Sequence, residues 1–207
     1  VLRMVIGESG PMKGRKNVDD QASLTADYLI WIEENMSQRL IETMQARLVL
    51  EPREPASVYS MMLSEWRATP YPELSVVLVF LRHVSLLHQT HHWQAAGDPF
   101  YGDHLLFERI YNATLEDVDA IAERSVGLGT TMNVDLAIQA RQLNDLCAME
   151  AKPVIPTTNE LATKSYNAEL MLLRVIALAT AQMEQSGTLT SGLANLLAGI
   201  EDKHEGH

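Results

Sequence analysis

Between His88 and Arg124 the chain reads HQTHHWQAAGDPFYGDHLLFERIYNATLEDVDAIAER, and it concentrates residue types that hold transition metals. His104 and Glu108 are four apart, as are Asp119 and Glu123, so on a helix each pair shares a face. At 100° per residue, the step from Glu108 to Asp119 returns to within about 20° of the same direction. All four side chains then occupy an arc of roughly 100° on one helix. Imidazole combined with carboxylate is the ligand set of an iron or manganese site that cycles or meets an oxidant. The midpoints of the two pairs are about 15 residues, hence roughly 22 Å, apart along the helix axis. Metal–ligand bonds are only about 2 Å long. One ion therefore cannot touch both pairs of one chain. Either the pairs serve separate sites, or a second copy brings its Asp119 and Glu123 to the first copy's His104 and Glu108 across a two-fold axis. His92, just before the turn, could fold back onto His104 and Glu108. The plain alternative is a solvated helix face, since acidic and histidine side chains usually lie at the surface.

Those residues need helices to hold them, and the rest of the chain supplies helical patterns. The 207 residues are 46% hydrophobic, rich in Ala, Leu, Met, Glu and Gln and modest in Gly and Pro, which favours a globular, helical domain. Residues 1–17 read as a loose tail. Leu24, Tyr28, Trp31, Ile32, Met36, Leu40, Met44 and Leu48 then recur at helical spacing, giving an amphipathic helix over 20–50. Pro52 and Pro55 end it. A short helical piece is expected at 57–67.

The second long helix is expected at about 72–95, with Leu74, Leu78, Leu81, Ser85, His88 and His92 on one face. The third should run from about 99 to 126, opened by Asp98-Pro99 and closed by Gly127 and Gly129. Its expected buried stripe is Phe107, Tyr111, Leu115, Val118 and Ala122. A shorter helix follows at 134–149, then a break at Pro153–Pro156. Another long helix runs from Thr158 or Asn159 to about 185, with Leu161, Ala168, Leu172, Ile176, Ala179 and Met183 inward and Gly187 as its stop. A last helix starts near Thr190. No β-alternating run or internal repeat interrupts this series, which predicts an all-α bundle of four helices with a short helix in a long crossover connection. The division expected is an N-terminal extension over 1–70 and a bundle over 71–207.

Charge and cysteine usage narrow the function classes. The net charge is −11 and the pI about 5.0, a surface that repels nucleic acid and attracts cations. The single cysteine, Cys147, excludes an intrachain disulfide and suits a reducing compartment; its apolar setting points to packing. The opening VLRMVIGESGPMKGRK lacks the apolar core of a secretion signal, and no run suits a membrane span, so a cytoplasmic protein is expected.

The pattern His92-Trp93-Gln94, Gly97, Phe100, His104, Glu108, Asp119, Glu123-Arg124 resembles the signature of the Dps family, the mini-ferritins of bacteria and archaea. That signature reads H-W-N-x-x-G-x-x-F-x-x-x-H-x-x-x-D/E, then, eleven residues on, D-x-x-x-E-R. Every interval matches without a gap, and the resemblance covers about residues 71–205. It implies a ferritin-like four-helix bundle, with the 20–50 helix as an addition. It implies His92, His104 and Glu108 as iron ligands from one subunit, and Asp119 and Glu123 as ligands from the two-fold mate. Trp93 would lie beside the iron, where the family's tryptophan takes up an oxidising equivalent. The activity implied is oxidation of Fe²⁺ to Fe³⁺, by hydrogen peroxide in preference to oxygen, and storage of ferric mineral in a hollow shell of twelve subunits, as protection against oxidative damage. Gln94 departs from the family's Asn, and Ala95-Ala96 from an apolar–basic pair; neither position is a ligand. DNA-binding members carry a basic tail. This tail holds only Arg3, Lys13, Arg15 and Lys16 before Asp19-Asp20, so DNA binding is not favoured. The competing reading is a ferritin-like shell whose main task is DNA compaction or docking to a larger assembly through residues 1–70.

Two weaker motifs complete the set. His88, His91 and His92 form a cluster in which His88 could be a secondary ligand. Glu201-x-x-His204 resembles half of a di-iron helix motif, yet no clear second half exists, so His204, Glu205 and His207 are expected in a solvated terminus. The ten methionines are expected as core filler.

Overall fold

The computed structural model describes residues 54–97, 100–150 and 157–206. The helix expected over 20–50, the Asp98-Pro99 restart and the Pro153–Pro156 break lie outside these. Every described residue belongs to one compact unit, within Ile41–His207. Its described residues are all-α, with no strand among them.

Helix α1, Pro55–Trp66, opens with proline in its first turn, where the missing N–H has no intrahelical role. Its buried stripe of Val58, Tyr59, Met62 and Trp66 joins the main core. Trp66 Nε1 donates to Gln142 Oε1 at 2.9 Å, and Gln142 Nε2 donates back to the Met62 carbonyl at 2.9 Å. Tyr59 reaches Gln182 Oε1 at 3.2 Å.

Helix α2, Pro72–Gln94, is the centre of the fold. It touches α1 and the four elements that follow: α3 (Phe100–Leu128), a 3₁₀ turn (Thr131–Val134), α4 (Leu136–Glu150) and α5 (Thr158–Ser186). Every residue from Glu73 to Leu81 is therefore buried, on all sides of the helix. The turn into α2 places Tyr71 at φ 51°, the left-handed region that a side chain of this bulk seldom adopts. Asn133, fully buried in the 3₁₀ turn, braces it: Nδ2 donates to the Pro70 carbonyl at 2.6 Å and to Ser75 Oγ at 3.1 Å, while Oδ1 accepts from Thr130 N at 3.0 Å.

Helix α3 corrects one expectation. Of the stripe Phe107, Tyr111, Leu115, Val118, Ala122, only Phe107 is fully buried; Val118 and Ala122 pack partly buried against the core, and Leu115 is 48% exposed. The buried face is Asp103, Phe107, Ile110, Thr114, Asp117, Ile121 and Ser125. Three polar members of that face have hydrogen bonds that make their burial tolerable. Thr114 and Ser125 donate to carbonyls one turn back, at 2.9 and 2.7 Å, and Asp117 accepts from Lys203 at 2.7 Å. Gly129 follows the helix where a Cβ would meet Asn133 Oδ1 at 2.5 Å and the Ser125 carbonyl at 2.7 Å, so the close approach requires glycine.

Helix α5 opens on a capping box in which Thr157 and Glu160 bond each other's backbone N–H, and it ends at Gly187 with φ 71°. Leu161, Ala168, Leu172, Ile176, Ala179 and Met183 are all buried, as the pattern predicts. Helix α6, Ser191–Glu205, is capped by Thr190 and packs along α5 through Leu193, Leu197 and Ile200.

Candidate functional site

The last turn of α2 and the first turns of α3 bring His92 and His104 together. The reversal between them passes through Gly97 at φ 84°, which explains a glycine in that motif position. The two imidazoles stack with ring centroids 3.7 Å apart and planes 25° from parallel. Each Nδ1 bonds the other residue's backbone carbonyl, both at 2.9 Å. A carbonyl oxygen only accepts, so both Nδ1 atoms carry the hydrogen. When the rings are neutral, both Nε2 atoms are left with a free lone pair, the form that ligates a metal. Phe100 stacks on His104 with centroids 5.0 Å apart, and Tyr111 meets His92 edge-on at 5.6 Å.

The surroundings are apolar and uncovered. Trp93 is 69% exposed and Tyr101 60%, with Phe100 and Leu105 also exposed. Glu108, half-buried one turn after His104, does not complete a three-ligand group with the histidine pair. Among the described residues, no three His, Cys, Asp or Glu side chains of one chain converge on a metal position. Asp119 and Glu123 lie exposed further along α3. The structure thus brings His92 and His104 together and leaves the carboxylate pair at the far end of the same helix, as the 22 Å spacing estimate requires.

The other histidines of the His88–His91–His92 cluster turn inward. His91 is buried, with Nδ1 2.7 Å from Ser165 Oγ. Burial first, and then the neighbouring His88, pushes its imidazole down to about 3, so it is neutral. His88 is fully buried, stacks on Phe107 with centroids 6.0 Å apart, and its Nε2 lies 2.8 Å from Glu169 Oε1.

His204 overturns an expectation. It is 2% exposed, not part of a solvated terminus. Its Nδ1 lies 2.7 Å from Glu169 Oε2, and its Nε2 3.4 Å from Asp117 Oδ2. Burial opposes its charge, but hydrogen bonds to Asp117 and Glu169 outweigh burial and raise it to about 9. For Asp117 the same contest runs the other way: burial would raise it, yet His204 and Lys203 hold it below the usual carboxylate range. The missed signal was the spacing itself, because His204 continues the stripe Leu193, Leu197, Ile200. Asp117 likewise continues Phe107, Ile110 and Thr114.

Elsewhere, a cleft of 390 Å³ is lined, among the described residues, by Glu54, Ser57, Val58, Met61 and Met149. Comparison with protein-family models found no match to this chain, and comparison with curated proteins found none either.

Proposed function

We propose that this chain is the subunit of a Dps-like ferroxidase, and that its substrate is Fe²⁺. The observation that carries the reading is the reciprocal lock of His92 and His104. Two imidazoles tied through Nδ1 to backbone carbonyls are pre-set as Nε2 donors, and a metal site built this way needs no side-chain rearrangement to begin binding.

In this reading the helices α2, α3, α5 and α6 form a ferritin-like four-helix bundle, with α4 as the crossing helix in its long connection. Residues His92, His104 and Glu108 are one half of the site. Asp119 and Glu123 of a second copy are the other half, brought in across a two-fold axis over the apolar rim of Trp93, Phe100, Tyr101 and Leu105. The neutral imidazoles hold Fe²⁺, and the carboxylates stabilise the higher charge of Fe³⁺. Each Fe²⁺ gives up one electron. Hydrogen peroxide accepts two as its O–O bond breaks, so a pair of ferrous ions per peroxide avoids release of hydroxyl radical. The ferric product mineralises inside a closed shell, by family precedent of twelve subunits, in the cytoplasm. The acidic chain helps draw cations inward. No helix of the described residues is long and apolar enough to cross a membrane.

Stopped-flow oxidation of Fe²⁺ by hydrogen peroxide tests the reading. Wild type should oxidise iron far faster than buffer, and His104→Ala/Glu108→Ala should fall to the buffer rate while keeping its helical circular dichroism. An unchanged rate in the double variant rejects the assigned site.

A further inference from the structure

A second set of ionisable groups crosses the interior, away from the His92–His104 pair. Glu169 on α5 receives His88 from α2 on one oxygen, at 2.8 Å, and His204 from α6 on the other, at 2.7 Å. The other nitrogen of His204 faces Asp117 of α3 at 3.4 Å, and Asp117 also accepts from Lys203 at 2.7 Å. Glu116 stands 4.0 Å from Lys203 at the surface. These groups form a chain rather than a cage. Each contact joins one acid to one base, and no three of them converge on a metal position. Lys203 and His204 therefore set two cations against the two carboxylates Asp117 and Glu169, with His204 itself sealed from water. Through these bonds the last turn of α6, which packs along α5, is also tied to α3.

We propose that this chain of ion pairs is a latch on the C-terminal helix: α6 stays closed on α3 and α5 while His204 carries a proton, and loosens when alkali removes it. A buried charge pair that loses one partner leaves the other uncompensated, which is far costlier than never having had the pair. Among the described residues, the charged and titratable groups facing His204 include Asp117 from α3, Glu169 from α5, His88 beyond Glu169 on α2, and Lys203 on its own helix. The direction follows from the folded value of about 9 against an ordinary 6.5. The latch contributes fully below the ordinary histidine value, weakens as pH rises, and is lost above the folded value. A shift of that size weakens closure by up to roughly a hundredfold across the window. The latch is independent of the iron-oxidising reading.

Hydrogen exchange on the intact full-length protein, followed by mass spectrometry from pH 6.5 to 9.5 and corrected for intrinsic rates, reads the latch directly. Peptides from 191–205 should lose protection by up to about a hundredfold across this range, while peptides from 72–94 change far less. In Glu169→Gln, which keeps the shape and removes one carboxylate, the loss should occur at lower pH. The proposal fails if 191–205 and 72–94 lose protection in parallel in the wild type. It fails equally if Glu169→Gln keeps the wild-type midpoint.

Discussion

Consider two variants that break opposite halves of the proposed iron site, His104→Ala/Glu108→Ala and Asp119→Ala/Glu123→Ala. The two pairs are roughly 22 Å apart on α3, ten times the reach of a metal–ligand bond. If the site is shared across a two-fold axis, each variant alone should be inactive, because every site lacks one half. Co-expressed in equal amounts with different tags, they behave otherwise. About half of the two-fold dimers are mixed, and each mixed dimer carries one site broken on both sides and one intact site. The mixed preparation should therefore oxidise Fe²⁺ at about a quarter of the wild-type rate per subunit, where either variant alone gives the buffer rate. The assay is stopped-flow absorbance of ferric product, on double-tag-purified material so that mixing is verified. A mixed preparation no faster than its parents refutes the shared site. So does full activity in Asp119→Ala/Glu123→Ala alone.

Three substitutions test the frame that carries the site. Trp66→Phe keeps a ring in the core but leaves buried Gln142 Oε1 without its donor, so it should cost about 1–3 kcal/mol in urea unfolding. Asn133→Ala removes the brace behind Tyr71 and strands Thr130 N and the Pro70 carbonyl; a loss of about 2–4 kcal/mol is expected, with the unfolding slope unchanged. Gly129→Ala drives a methyl into Asn133 Oδ1 and the Ser125 carbonyl, and should lower the thermal midpoint by an amount equivalent to about 1–3 kcal/mol.

Where hydrophobicity alone decides, the elements could be read from residues in order. Helix α5 is the clear case: its apolar stripe, its Thr157 cap and its Gly187 stop all act locally. On α3 the inner face is rotated by about one residue from the apolar stripe, because it carries Asp103, Thr114, Asp117 and Ser125. Polarity argues for the surface until the partner is known, and for Asp117 the partners lie on α6, far along the chain. The same long-range pairing hid His204. The His92–His104 proximity was legible, because the Gly97 reversal between two helices leaves little choice. Its reciprocal bonding was not, since it depends on backbone carbonyls that present no residue signal. Tyr71 in the left-handed region runs against its local preference, and the brace beside it, Asn133 bonded to the Pro70 carbonyl and Ser75, comes from a distant part of the chain.

The most direct test is anomalous diffraction from crystals soaked anaerobically in Fe²⁺. The account predicts an iron peak bonded to Nε2 of His92 or His104 in one subunit and to Asp119 or Glu123 carboxylate oxygen in its two-fold mate. A peak whose protein ligands all come from one chain, or no peak at the histidine pair, would contradict it.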